Sequence, residues 1–161
     1  GPILEKKSLL IDEQINKEDL TKKLNQLGVD LLNSLLPKIY NKTATLINQD
    51  HTKATYAHKI SSKMRKLNFN NEAKVVYNKI RAFAPDPAAW FFFKEERIKI
   101  IKSTFEKGDF QSSVILNEKF HIGCLNGKIC PEVIQREGKK PMQLDDFLRG
   151  YKFIIGSKID A

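Results

Sequence analysis

Ala89-Trp90-Phe91-Phe92-Phe93-Lys94-Glu95-Glu96-Arg97-Ile98-Lys99-Ile100 is where the chain abandons a helical repeat for a repeat of two. Just before it, Ala73, Val76, Tyr77, Ile80 and Phe83 recur at spacings of three and four. That spacing predicts a helix capped by Asn70 or Asn71 and stopped before Pro85, because the residue preceding a proline is pushed out of helical geometry. From Ala89 the aromatic run reads as one strand, Glu95-Glu96 as a turn, and residues 97–100 as a second strand alternating polar and apolar. Three adjacent phenylalanines cannot all face one side of a strand. The cluster offers stacking surfaces for bases, but core packing is the stronger reading for at least some of its rings.

Turn signals continue downstream at short, regular intervals. Gly108-Asp109 marks a turn and residues 113–116 a third strand; Phe120, Ile122 and Cys124 alternate with Lys119, His121 and Gly123. Asn126-Gly127 is the strongest hairpin signal, since both positions of such a turn favour positive φ. Residues 128–134 form the returning strand, where Pro131 points to an edge or a bulge. Gly138-Lys139-Lys140-Pro141 is a basic loop, and Leu144, Phe147, Leu148 and Tyr151 outline a closing helix. The pattern predicts an α+β, mainly β unit of about five short strands with flanking helices. A small antiparallel barrel of the oligonucleotide-binding (OB) type fits it, and a β-sandwich fits nearly as well.

Upstream, Asn16 is the expected cap of a long helix, with Glu18 and Asp19 in its first turn, where carboxylates suit the helix dipole. Leu20, Leu24, Leu27, Leu31 and Leu35 make one apolar stripe, read as a core face, and Pro37 marks the expected end. Residues 3–11 read as a strand and residues 41–56 as an extended connector. The 161 residues carry 28 Lys and Arg against 19 Asp and Glu, a formal +9. Residues 1–60 hold nine basic and seven acidic side chains, whereas residues 61–161 hold nineteen and twelve. The excess thus lies in the β-rich part, as expected of a surface facing a polyanion. Residues 59–66 add Lys59, Lys63, Arg65 and Lys66 with no acid. No apolar run approaches the ~20 residues of a membrane helix, and no secretion signal is recognisable, which predicts a cytoplasmic protein that does not engage membranes. Cys124, Cys130 and the scattered His51, His58 and His121 offer neither a disulfide framework nor four metal ligands, so no metal is expected.

Several strings become specific when read in order. Thr55-Tyr56-Ala57-His58-Lys59-Ile60-Ser61 resembles the Thr-Tyr-Ala-x-Lys-Leu-Ser segment joining the two domains of methionyl-tRNA formyltransferases. Asn78-Lys79-Ile80-Arg81-Ala82-Phe83-Ala84-Pro85-Asp86-Pro87-Ala88-Ala89-Trp90 is similar to that family's Ile-Arg-Ala-Phe/Leu-Asn-Pro-x-Pro-x-x-Trp stretch. Gly138-Lys139-Lys140-Pro141-Met142 resembles its Gly-Lys-Lys-x-Met loop. Leu24-Asn25-Gln26-Leu27-Gly28 and Gly1-Pro2-Ile3-Leu4 match its Leu-x-x-Leu-Gly helix and the strand after its Asp-Thr-Gly-Pro turn. The departures are Asp86, where the family often has Trp, Ser61-Ser62-Lys63-Met64 in place of Ser-Lys-Glu-Glu, and Leu67-Asn68-Phe69 in place of Ile-Asp-Trp.

The resemblance implies three parts. Residues 1–42 are the strand and helix ending a Rossmann-like catalytic domain, residues 43–62 a linker, and residues 63–161 an OB-like C-terminal domain. The implied activity of the whole enzyme is formylation of the α-amine of initiator methionyl-tRNA, with 10-formyltetrahydrofolate as co-substrate. The family's catalytic Asn and His lie far upstream of residue 1, and its Asp about two residues before Gly1. This chain alone is therefore expected to be inactive and not to bind the folate; Gly1-Pro2 fits the family's turn, and the scar of a cleaved tag stays open as its other origin. Expected tRNA ligands are Lys59, Lys63, Arg65, Lys66, Lys139 and Lys140, forming one positive track, with Arg81 divided evenly between RNA contact and structural ion pairing. Two alternatives stay open: a stand-alone RNA-binding module, and the tail of another folate-dependent formyltransferase such as an amino-sugar enzyme. The leucine stripe also leaves open a dimer or a swapped assembly.

Overall fold

Phe91 and Phe93 are shut away from solvent at 0% and 1% exposure, whereas Phe92 between them is half-buried. This alternation along strand β1 (Ala89–Phe93) divides everything that follows into an inner and an outer face. The computed structural model describes residues 1–159 and separates into two units, Gly1–Lys59 and Ile60–Ala161.

In the second unit, β1 pairs antiparallel with β2 (Glu96–Lys107). Strand β2 in turn pairs with β4 (Gly127–Arg136), which takes β3 (Ile122–Cys124) and the two-residue β5 (Met142–Gln143). The order β1-β2-β4-β3 leaves the sheet open. Beyond its edges single bridges, Lys66 to Trp90 and Ile115 to Ile122, prolong it without closing a barrel. The α+β expectation therefore holds as an open antiparallel sheet with helices, and barrel closure is absent among the described residues. Helix α2 (Ala73–Phe83) covers the inner face with Ala73, Val76 and Ile80, and the shorter α3 (Leu144–Gly150) contributes Phe147. Phe69, Phe91, Phe93, Phe120 and Phe147 meet edge to face there, with centroids 5.3–5.9 Å apart, the geometry that aromatic quadrupoles favour.

Several local expectations are corrected. The β1–β2 turn is Lys94-Glu95 rather than Glu95-Glu96; both residues have positive φ, 50° and 63°, with neither Asn nor Gly to announce it. In the β3–β4 hairpin Cys124 pairs with Gly127, so the loop is Leu125-Asn126; only Asn126 (φ 58°) is left-handed, and Gly127 already belongs to the strand. Residues 113–116 make isolated bridges instead of a strand. Helix α2 is capped by neither asparagine. Its Ala73 amide donates to the Leu125 carbonyl, 3.0 Å, while Asn70 Oδ1 accepts from Ser112 and Ser113, both at 3.0 Å. The bulge expected near Pro131 is present: register shifts fall between Ile100 and Ser103 where Ser103 faces Pro131.

The first unit is built on α1 (Lys17–Tyr40), whose Asn16 side chain accepts from the Asp19 amide as expected. Pro37 lies inside the last turn instead of ending the helix; so near the end it forfeits one amide donor, and its carbonyl still accepts from Asn41 at 2.9 Å. The strand expected over residues 3–11 reduces to one bridge, Ile3 to Ile47, because within this unit no neighbouring ladder receives it. Of the leucine stripe only Leu35 is buried; Leu24 is exposed and the others are half-buried, so it is not the core face expected.

Candidate nucleic-acid interface

The outer face of the sheet lies beside the segments that carry most of the expected basic residues of the second unit. Trp90 and Phe92 of β1, Arg97 and Lys99 of β2, and Gln135 of β4 all point away from the core. The register places Phe92 beside Arg97, and Trp90 beside Lys99, which faces Gln135. Trp90 donates its indole N–H to the Ser62 carbonyl at 3.1 Å, and the Leu67 amide donates to Trp90 O at 2.7 Å. These bonds bring the short 3-10 turn Lys63–Arg65 and then Lys66 to this face. At the far end Gln135 donates its amide to the Lys139 carbonyl, 2.8 Å, tethering the Gly138-Lys139-Lys140 loop to the same sheet. Gly138, at φ 69°, supplies the left-handed residue which that loop requires.

Lys63, Lys139 and Lys140 are exposed, and among the described residues none of them has a carboxylate in ion-pair reach. Arg65 is partly committed to the fold, its Nη1 donating to the carbonyls of Pro87 and Ala88 at 2.9 and 3.2 Å. The backbone carbonyl of Lys66 accepts from Lys79 Nζ at 2.7 Å, and burial pulls the Lys79 ammonium pKa down. Arg81 lies on α2, in the layer covering the opposite, inner face, with Nε donating to Asn78 Oδ1 at 2.9 Å; the structure does not bring it into the set. Lys59 is exposed and belongs to the first unit.

The residues not singled out beforehand are Arg97 and Lys99. Their signal was the alternation of residues 97–100, which sets both on one face. Three other basic side chains of β2 and β4 are neutralised across the strands, whereas Lys107 at the end of β2 is exposed. Lys102 reaches Glu132 at 2.7 Å and Lys128 reaches Glu106 at 3.0 Å, while Arg136 grips Glu96 through Nε at 2.8 Å and Nη2 at 3.2 Å. Arg136 also lies over Tyr151, whose phenol is pushed up to about 12 by burial and by Glu96. The rings expected as stacking surfaces are mostly occupied: Phe91 and Phe93 are core, and Trp90 is only 7% exposed.

Other chemistry is sparse. Burial pushes the Cys124 thiol up to about 12 and the Cys130 thiol to about 11, so both stay protonated near neutral pH. In the first unit a depression open to solvent is lined by Asp12, Glu13, Gln14, Ile15, Asp19, Lys22 and Lys23. No helix among the described residues is long and apolar enough to cross a membrane.

Residues 59–152 match the family described as formyl transferase, C-terminal domain. The chain is 35% identical to the methionyl-tRNA formyltransferase of Ehrlichia canis (strain Jake) over 158 residues, 96% of this chain and 50% of that protein. It is 32% identical to the methionyl-tRNA formyltransferase of Pelagibacter ubique (strain HTCC1062) over 160 residues, 99% of this chain and 52% of that one. The chain thus spans about half the length of the curated relatives it matches. Among solved structures it is similar to WlaRD, a sugar 3N-formyl transferase, with TM-score 0.64 at 22% identity, covering 87% of this chain and 51% of that one. A variant of HypX from Aquifex aeolicus gives TM-score 0.69 at 13% identity, covering 98% of this chain and 31% of that one. At these identities the likeness is one of fold.

Proposed function

The chain belongs to the formyl transferase C-terminal domain family, and on that premise we propose that it is the tRNA-holding half of a methionyl-tRNA formyltransferase. The whole enzyme formylates the α-amine of initiator methionyl-tRNA with 10-formyltetrahydrofolate in the cytoplasm. Residues 1–42 close its Rossmann-like catalytic domain, residues 43–62 link the two domains, and residues 63–161 form the RNA-holding domain. We read the open five-stranded sheet as a relative of the OB barrel. The reacting groups and the folate site belong to the catalytic domain beyond this chain, so the chain alone transfers no formyl group. Its contribution is positional: an acceptor arm held by its phosphates presents the methionyl amine to the formyl carbon as an effectively intramolecular reactant.

The observation that carries the reading is the outer sheet face, beside which Lys63, Lys99, Lys139 and Lys140 have no carboxylate in ion-pair reach among the described residues. Arg65 and Lys66 extend it as secondary ligands, Lys59 is a further ligand on the first unit, and Arg81 is left to the helix. Phosphate contacts of this kind release counterions, so binding falls with salt by a log–log slope of about 0.7–0.9 per contact. Replacing Lys139 and Lys140 by Ala should weaken initiator tRNA binding in a salt-series gel shift and flatten the slope by about 1.5. An unchanged slope removes the loop from the interface. Absence of tRNA binding by the parent chain would favour the tail of an amino-sugar formyltransferase.

A further inference from the structure

Arg97 differs from every other arginine of the sheet in how it is held. Its guanidinium lies over the Trp90 ring at 4.8 Å and the Phe92 ring at 5.6 Å, and those rings meet edge to face at 5.2 Å. Its Nε is closed off from solvent and has no hydrogen-bond partner. Among the described residues the one carboxylate in reach is Glu137, 4.0 Å from Nη1 and 61% exposed, in the turn that leads into Gly138-Lys139-Lys140. Arg136, one strand away, is gripped bidentately by Glu96; Arg97 has only this long, solvent-exposed contact.

A flat guanidinium fixed on two rings has already lost the rotamer freedom that a flexible side chain surrenders on binding, and its planar fork suits the oxygens of a phosphate. Lys99 stands two residues along the same face, roughly 7 Å away at strand spacing. An exposed ion pair at 4.0 Å offers little resistance to exchange.

We propose that Arg97 is a phosphate-binding residue of the RNA surface, preorganised on Trp90 and Phe92, and that Glu137 is its resident anion in the free chain, displaced when an RNA phosphate arrives. This rests on the tRNA-binding reading above and adds to it a residue and an internal competitor. Because Glu137 precedes Lys139 in the same turn, its release and the approach of the lysine loop to phosphate are one movement.

Trp90 is the only tryptophan of the chain, so its fluorescence reports this site directly. Titrating the full chain with initiator tRNA transcript at low salt should change Trp90 emission saturably. Arg97→Gln should weaken binding about tenfold and lower the salt slope by roughly one contact; Arg97→Lys should fall between it and the parent. Glu137→Gln, a change in an exposed turn, should tighten binding several-fold. Glu72→Gln, which removes one exposed charge beside Leu125 at the far end of β2 and β4, should change it much less. Thermal unfolding of each variant establishes that it is folded, and Glu137→Gln carries the test should Arg97→Gln fail to fold. The proposal is overturned if Glu137→Gln and Glu72→Gln behave alike. It is overturned equally if Arg97→Gln binds like the parent while Lys139→Ala with Lys140→Ala weakens binding, an outcome that leaves the tRNA reading intact. Equal displacement by polyglutamate would reassign the face to an acidic protein, and no binding by the parent chain sinks both readings.

Discussion

At Gly127 an added methyl group would stand 2.7 Å from the Ala73 Cβ and closer still to the Glu106 carbonyl oxygen. One neighbour is buried helix and the other is ladder backbone, so neither yields cheaply. Gly127→Ala should cost about 1–3 kcal/mol, read as a lower denaturant midpoint at unchanged slope. The sequence pointed to this glycine for the wrong reason: Asn-Gly suggested positive φ, whereas the actual demand is the approach of the Glu106 carbonyl and of α2, which local sequence does not encode. His121 is legible only in the fold. It is half-buried, with Nδ1 3.1 Å from the Asn117 amide; burial, then Lys128 and Lys119, lower its pKa, opposed by Glu106. A histidine with a depressed folded pKa takes up its proton more readily when unfolded. The native state therefore loses stability as pH falls through the ordinary value of about 6.5, and the loss levels off below the folded pKa. Unfolding midpoints at about pH 7.5 and about pH 5.5 should differ more in the parent than in His121→Asn, since this histidine contributes part of the difference. Among the candidate ligands, Lys139 and Lys140 were visible as a Gly-flanked basic loop, and Lys63 as part of a basic run. Arg65 and Arg81 were visible as charges, but not as donors to Pro87, Ala88 and Asn78, because those partners are set by tertiary geometry.

Elements with a repeat of their own were readable, and those completed by a distant partner were not. Helices α1, α2 and α3, the β1–β2 pair and the bulge at Pro131 follow from period, proline and capping chemistry. The β1–β2 turn escaped because Lys94 and Glu95 adopt left-handed geometry without the residues that prefer it. Residues 3–11 and 113–116 have strand composition, but a strand exists only where a neighbour supplies a ladder. Helix α1 shows the same dependence on its face: Leu24, Leu32 and Leu36 stand about half exposed at 48%, 53% and 51%. Apolar stripes left open in this way drive association. Replacing Leu32 and Leu36 together by Glu should therefore reduce any concentration-dependent self-association of the chain in sedimentation velocity and leave the helical circular dichroism intact. Self-association that survives the double change would place its source elsewhere.

Charge and core divide between the two units in the same sense. Residues 61–161 hold nineteen basic and twelve acidic side chains, and the aromatic core lies entirely within Ile60–Ala161. The first unit has nearly balanced charge and a helix with one buried leucine. Cooperative unfolding follows a packed core, and phosphate binding follows cations without a tight carboxylate partner, so both properties should travel with the second unit. Residues 60–161 produced alone should unfold in one transition. They should also bind initiator tRNA with a log–log salt slope of about 4, the value expected if Lys63, Arg97, Lys99, Lys139 and Lys140 each meet one phosphate. Removing residues 1–59 takes away Lys59 and should change that slope by less than about one contact. A slope that falls by half or more on this truncation would move the interface into Gly1–Lys59. The outer sheet face would then be a charged surface without a ligand.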